Sequence, residues 1–302
     1  MKKRNSLIEF YRFFFAINVL ICHGFLPFER TFFGPDRVSV EFFFILSGFL
    51  FYKSLKKIAE MNTIDAVRST FVSKIKPLLI PMLIGMACNG VLNYLTNHKP
   101  VFEVFRYLWY IPAMLITLIV YVVIRKLIKN DKVFWCLVGV LFAIATLLRF
   151  SGNETLFFFD YIRSTASISL GMLIAKLPKP AFKSKALSWI ILLSVAITTL
   201  LIVFFGLAED NVAYEALLDV VLYPALIYLT FAVEFHFAPF NYLGALSFGI
   251  YAFQCPARLM AHIGMPNPWI PFVFVFVAAI TEDLIKRLIR KRKTKNEENK
   301  GN

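Results

Sequence analysis

Long apolar runs alternate with short polar gaps along this chain, and the basic residues collect in the gaps. Apolar windows fall near 6–28, 38–54, 75–96, 107–127, 133–150, 160–177, 187–206, 213–234, 240–260 and 268–288. Most approach the ~20 residues a helix needs to cross a hydrocarbon core. The second is short, and the fifth and sixth are marginal. The pattern predicts an all-α, polytopic integral membrane bundle of about ten transmembrane helices. One domain fills 1–290, and residues 291–302 form a charged cytoplasmic tail, too short and polar to fold and expected to be disordered. The first run continues to Phe28 with no small-residue cleavage site, so it reads as a retained span.

Orientation follows from the charges. With the N-terminus in the cytoplasm, 25 of the 33 Lys and Arg residues fall on the inner side, seven on the outer side, and Arg12 lies within the first span. The outer seven are Arg30, Arg37, Lys99, Arg106, Arg149, Arg163 and Arg258. Such an excess sets both termini in the cytoplasm of a multi-pass protein of the plasma or inner membrane. Composition agrees: 59% of residues are hydrophobic and 17% charged, against about 45–50% and about 25% in soluble domains. The net charge of +14 marks topology and membrane-lipid contact here, not a nucleic-acid partner. Cys22, Cys88, Cys136 and Cys255 all sit in apolar runs without a C-x-x-C pair, so they read as buried thiols and no metal site is expected.

Ionisable residues inside apolar windows are costly and mark function. Arg12 and His23 are eleven positions apart, which puts them on nearly one helix face, roughly 16 Å apart along the axis. Glu41 follows in the Phe-rich second window, just before Ser47-Gly48. A neutral imidazole suits a general base, and a guanidinium suits an anionic group or a developing oxyanion. Simpler readings stand beside these. His23 alone reads as a packing residue, Arg12 as a side chain snorkelling to the headgroups, and Glu41 as a partner for Arg12, Arg37 or His23. Ser47-Gly48 reads as a close helix crossing.

Arg12 and His23, the segment VEFFFILSGFL (Val40–Leu50), KIKP (Lys74–Pro77), LWY (Leu108–Tyr110) and LGALSFGIY (Leu243–Tyr251) together resemble the acyltransferase-3 family over essentially the whole chain. The resemblance implies transfer of an acyl group, most often acetyl, from cytoplasmic acyl-CoA to a hydroxyl of an extracytoplasmic polysaccharide or lipid-linked saccharide. His23 takes the family's catalytic histidine position, Arg12 its essential arginine, and Glu41 a position that is acidic in relatives. Lys74 stands where relatives often have Arg, and Gln254 where they often have His, so neither role carries over unchanged. Lys53, Lys74 and Lys76 are candidates for binding the donor's phosphates. Arg37, Trp109, Arg163 and Tyr251 are candidates for the acceptor side. Direct transfer through His23 as base and an acyl-histidine relay are both open. The partners implied are a surface glycan and its synthesis machinery. A glycan or small-anion transporter, with Arg12, Glu41 and His23 lining its pathway, is the alternative from another class.

Overall fold

The computed structural model describes residues 5–22, 36–97, 109–151, 158–208, 211–262, 267 and 269–301. They are helical almost throughout. In chain order the elements are α1 (Ser6–Cys22), α2 (Asp36–Glu60), α3 (Thr63–Thr70), α4 (Lys76–Asn97), α5 (Tyr110–Leu127), α6 (Asp131–Phe150), α7 (Phe159–Lys176), α8 (Lys185–Phe204), α9 (Val212–Ala216), α10 (Tyr223–Thr230), α11 (Ala238–His262) and α12 (Trp269–Gly301). Each of the ten apolar windows contains a long helical stretch. Five stretches among the described residues are long and apolar enough to cross a membrane: Val38–Leu55 within α2, α5, α6, α8 and Val212–Thr230. Ile190, Leu193, Ile197, Leu201 and Phe204 form an exposed apolar stripe on the outward side of α8. Such a stripe is stable against lipid tails and would aggregate in water. The protein is a polytopic helical membrane bundle.

Two wide turns were not foreseen. Phe71–Ile75, between α3 and α4, and Leu217–Leu222, between α9 and α10, are π-helical. Prolines explain them. Pro77 and Pro224 carry no N–H for the carbonyl one turn back, and their rings crowd it, so the preceding turn opens by one residue. Elsewhere the ends are capped conventionally. Asn130 accepts from the Lys132 and Val133 amides, and Ser184 accepts from Leu187. Two expectations are corrected. The tail continues α12 to Gly301, because Lys, Arg and Glu are good helix formers and nothing before Gly301 interrupts them. Cys136 is exposed on the lipid side of α6, not buried, and Cys88 is half-buried.

The bundle is organised on α2, which packs against α1, α5, α7 and α10. Its closest neighbour is α7, and glycines make the approach possible. A Cβ at Gly48 would land on the carbonyl of Ile168, and one at Gly171 on the carbonyl of Ile45. Backbone meets backbone there in both directions, as at small-residue crossings in membranes. On α2, Glu41, Ile45 and Gly48 fall at i, i+4 and i+7 toward α7, while Phe43, Ser47 and Leu50 form the roughly opposite face. That second face is the one left for a site.

The crossing gives a paired test. Gly48→Ala or Gly171→Ala should cost at least about 1–3 kcal/mol, because backbone cannot move aside. Gly139→Ala, where a Cβ meets nothing within 4 Å, should be neutral or stabilising. Thermal unfolding of the purified protein in detergent separates the three.

Candidate active site

Two cavities open along the inner faces of α1 and α2, and Arg12 lines both. The upper one, about 390 Å³, lies between Phe43, Ser47, Tyr110, Met114, Phe248 and Tyr251. Its walls are mostly apolar, with hydroxyls set into them. Ser47 and Tyr110 each donate to the Met114 thioether at 3.2 Å, which fixes that flexible side chain as a wall. Tyr251 meets Tyr110 edge-on at 5.4 Å. The inner cavity, about 760 Å³, opens near the ends of α2, α7 and α10, where Lys53, Lys179 and His236 join Arg12, Glu9 and Glu234. Both volumes are in the range of pockets that enclose small molecules, about 300–1,000 Å³.

Arg12 stands where the two cavities meet. Its Nη1 donates to Glu9 Oε2 at 2.8 Å, one turn earlier on α1. Glu9 is buried and is seated against Gly244 of α11, where any side chain would displace it. Arg12 itself remains 31% exposed at its side chain. It is a cation held from one side and open to the cavities on the other.

Glu41 is in the opposite situation. It is fully buried and lines neither cavity. Arg163 Nη2 and Nε reach its Oε1 at 2.7 and 2.8 Å, Arg149 Nη1 lies 3.2 Å from its Oε2, and Ser167 donates to the same oxygen. Arg149 continues the network to Glu215 at 2.8 Å and to Asp219 in the π turn before α10. Three carboxylates and two guanidiniums thus tie α2, α6, α7 and the α9–α10 segment together. Charges this deep hold only because each is paired. The extra residue of the π turn belongs to the segment that brings Asp219 to this meeting.

Several expected site residues are therefore placed. Lys53 lines the inner cavity, with Nζ over the Phe231 ring at 5.2 Å. Tyr251 lines the upper cavity. Trp109 is half-buried beneath the Arg163 guanidinium, 4.8 Å from its centroid. Arg163 serves Glu41, and Arg149, read from sequence as an outer loop charge, is buried beside it. Neither is a loop residue. Glu41 pairs with these two rather than with Arg12. His23 lies outside the described residues, as do the side chains of Arg37, Lys74 and Lys76.

Other functional candidates had no sequence signal. Glu9, Lys179 and His236 come to the cavities from separate segments. Gln254, already noted in the sequence as standing where relatives often have His, is buried with both amide atoms unpartnered.

A double-mutant cycle tests the network. Glu41→Gln and Arg163→Gln should each destabilise by about 3–5 kcal/mol. Together they should cost about 1–3 kcal/mol less than the sum, as read by thermal unfolding in detergent.

A family model described as an acyltransferase domain matches residues 5–281. No curated protein and no solved structure matches the chain.

Proposed function

The chain belongs to the acyltransferase-3 family, membrane acyltransferases that modify surface carbohydrates, and from that premise we propose that it carries an acyl group, acetyl in the first instance, from cytoplasmic acyl-CoA to a hydroxyl of an extracytoplasmic glycan. The observation that supports this most is the position of Arg12 between a larger, cation-lined inner cavity and a smaller, apolar upper one. Acyl-CoA has that character. Its nucleotide end is polyanionic, and its pantetheine arm and thioester are thin and nearly neutral. Lys53 and Lys179 hold the phosphates by charge-assisted hydrogen bonds, and Arg12 fixes the arm as it passes into the upper cavity. Lys74 in the π turn and Lys76 at the start of α4 supply further cations.

Ten residues of helix, roughly 15 Å, separate Arg12 from the end of α1 at Cys22. Arg12 and His23 therefore work on different ends of the reaction. Arg12 positions the donor. His23 meets the acceptor hydroxyl and takes its proton as the oxygen attacks the thioester carbonyl. A C–O bond forms, the C–S bond breaks, and the imidazolium returns the proton to the departing thiolate. Glu41 does not touch substrate in this scheme. With Arg149 and Arg163 it fixes α2, whose opposite face carries Ser47 to the cavity wall.

Replacement of His23 by Ala should remove acyl groups from the surface glycan, measured by mass spectrometry, with protein level and glycan export unchanged. Retained acylation with lost export would point instead to transport. Lys53→Ala should raise the KM for acyl-CoA severalfold at nearly constant kcat, because it removes ground-state donor binding.

A further inference from the structure

Gln254 is only 2% exposed, yet neither its amide oxygen nor its amide nitrogen has a hydrogen-bond partner. Most buried polar atoms are satisfied, and an unpaired one is costly to keep. An apolar side chain of the same length would fill the space without that cost. A glutamine retained there is explained by something that visits it.

Its position narrows what that is. Ser247, Tyr251 and Gln254 follow at i, i+4 and i+7 on one face of α11, and the first two line the upper cavity. Helices α1 and α11 run parallel, with Phe10 stacked on Phe240 at 4.7 Å and Glu9 packed against Gly244. Ten residues beyond Gly244, Gln254 stands level with about residue 19 of α1 or further along, well past Arg12. Gln254 does not line the upper cavity itself; it lies one helical turn beyond Tyr251, the last α11 residue in the cavity wall, and away from the inner cavity and its lysines.

A carboxamide presents an acceptor and two donors in one plane. A thioester carbonyl, which only accepts, would satisfy one of the two orphan atoms. Two adjacent hydroxyls on a sugar ring satisfy both, one donating to Oε1 and the other accepting from Nε2. We propose that Gln254 is an acceptor-binding residue, gripping neighbouring hydroxyls of a saccharide one helical turn beyond Tyr251, where the wall of the upper cavity ends. This rests on the acyltransferase function proposed above. The amide holds its ligand without exchanging a proton, so it sets acceptor affinity and orientation and leaves proton transfer to other groups.

The test uses the purified full chain in detergent, with acetyl-CoA as donor and alkali-deacylated surface polysaccharide from the expressing cells as acceptor. KM is measured for each, and the melting temperature is measured without either. Gln254→Met should raise the polysaccharide KM about tenfold, leave the acetyl-CoA KM unchanged, and melt no lower than the unaltered protein, since the unpaired amide is gone. Gln254→Asn, which keeps the amide one methylene short, should lie between. A lower melting temperature with an unchanged polysaccharide KM would make Gln254 a packing residue and overturn the proposal. A rise confined to the acetyl-CoA KM would overturn it by assigning the amide to the donor. Absence of transfer by the unaltered chain would overturn the acyltransferase function itself, and this inference with it.

Discussion

A carboxylate with no access to water, shared between two guanidiniums, is the constraint on which the bundle turns. Glu41 could not remain charged at its depth without Arg163 and Arg149, and neither arginine could be buried without a carboxylate to face. Each requirement fixes a helix. Arg163 brings α7 to α2, Arg149 brings α6, and the onward pairs to Glu215 and Asp219 bring the segment before α10. The polar contacts act over a short range, so the backbones must be close, which is what Gly48 and Gly171 allow. Buried charge and absent side chain are two halves of one device that sets the rotation of α2. Once that face is committed to α7, Phe43, Ser47 and Leu50 have only the cavity to line.

Much of this was legible as periodicity. Runs of about twenty apolar residues, punctuated by basic gaps, locate the helices because lipid demands both length and internal hydrogen bonding. Arg12 and Glu41 were legible as well, since an ionisable residue inside such a run has few bland explanations. The partners were not. Glu41 and Arg163 are 122 positions apart, and Arg149 lies at the end of its window, where a loop charge and the last residue of a span read alike. The π turns precede a proline in each case, but proline announces a break without saying whether the turn will kink, end or widen. Which face of α11 meets the cavity follows from tertiary packing of Glu9 against Gly244, and no local signal carries that.

The polar groups buried in this bundle differ in how completely they are satisfied; even in the ionic framework, Arg149 Nε and Asp219 Oδ1 have no hydrogen-bond partner. Glu41 has both oxygens engaged by charged or hydroxyl donors, and Thr117 and Ser164 bond each other at 2.6 Å. These groups have nothing left to offer a ligand. Arg12 is bound on one side only, by Glu9, and is partly exposed. Gln254 has neither amide atom engaged. An unpaired polar atom inside a membrane bundle is expensive, and a ligand that engaged the Gln254 amide for part of the protein's cycle would offset that cost.

Arg12 lines the upper cavity at its inner end, and Gln254 lies one helical turn beyond Tyr251 at the other. A transporter would need such groups to lie along a continuous path that opens to each side in turn. A transferase needs them to hold two different molecules at once, with a small apolar space between. On the acyltransferase proposal the chamber beyond Arg12 suits the second form: it is small, walled by Phe43, Met114 and Phe248, with one wall fixed by the hydroxyls of Ser47 and Tyr110. A thioester brought in from the lysine-lined side and a hydroxyl from the other would meet there with water largely excluded. Under that condition a neutral base can take a proton from an alcohol without hydrolysis competing for the acyl group.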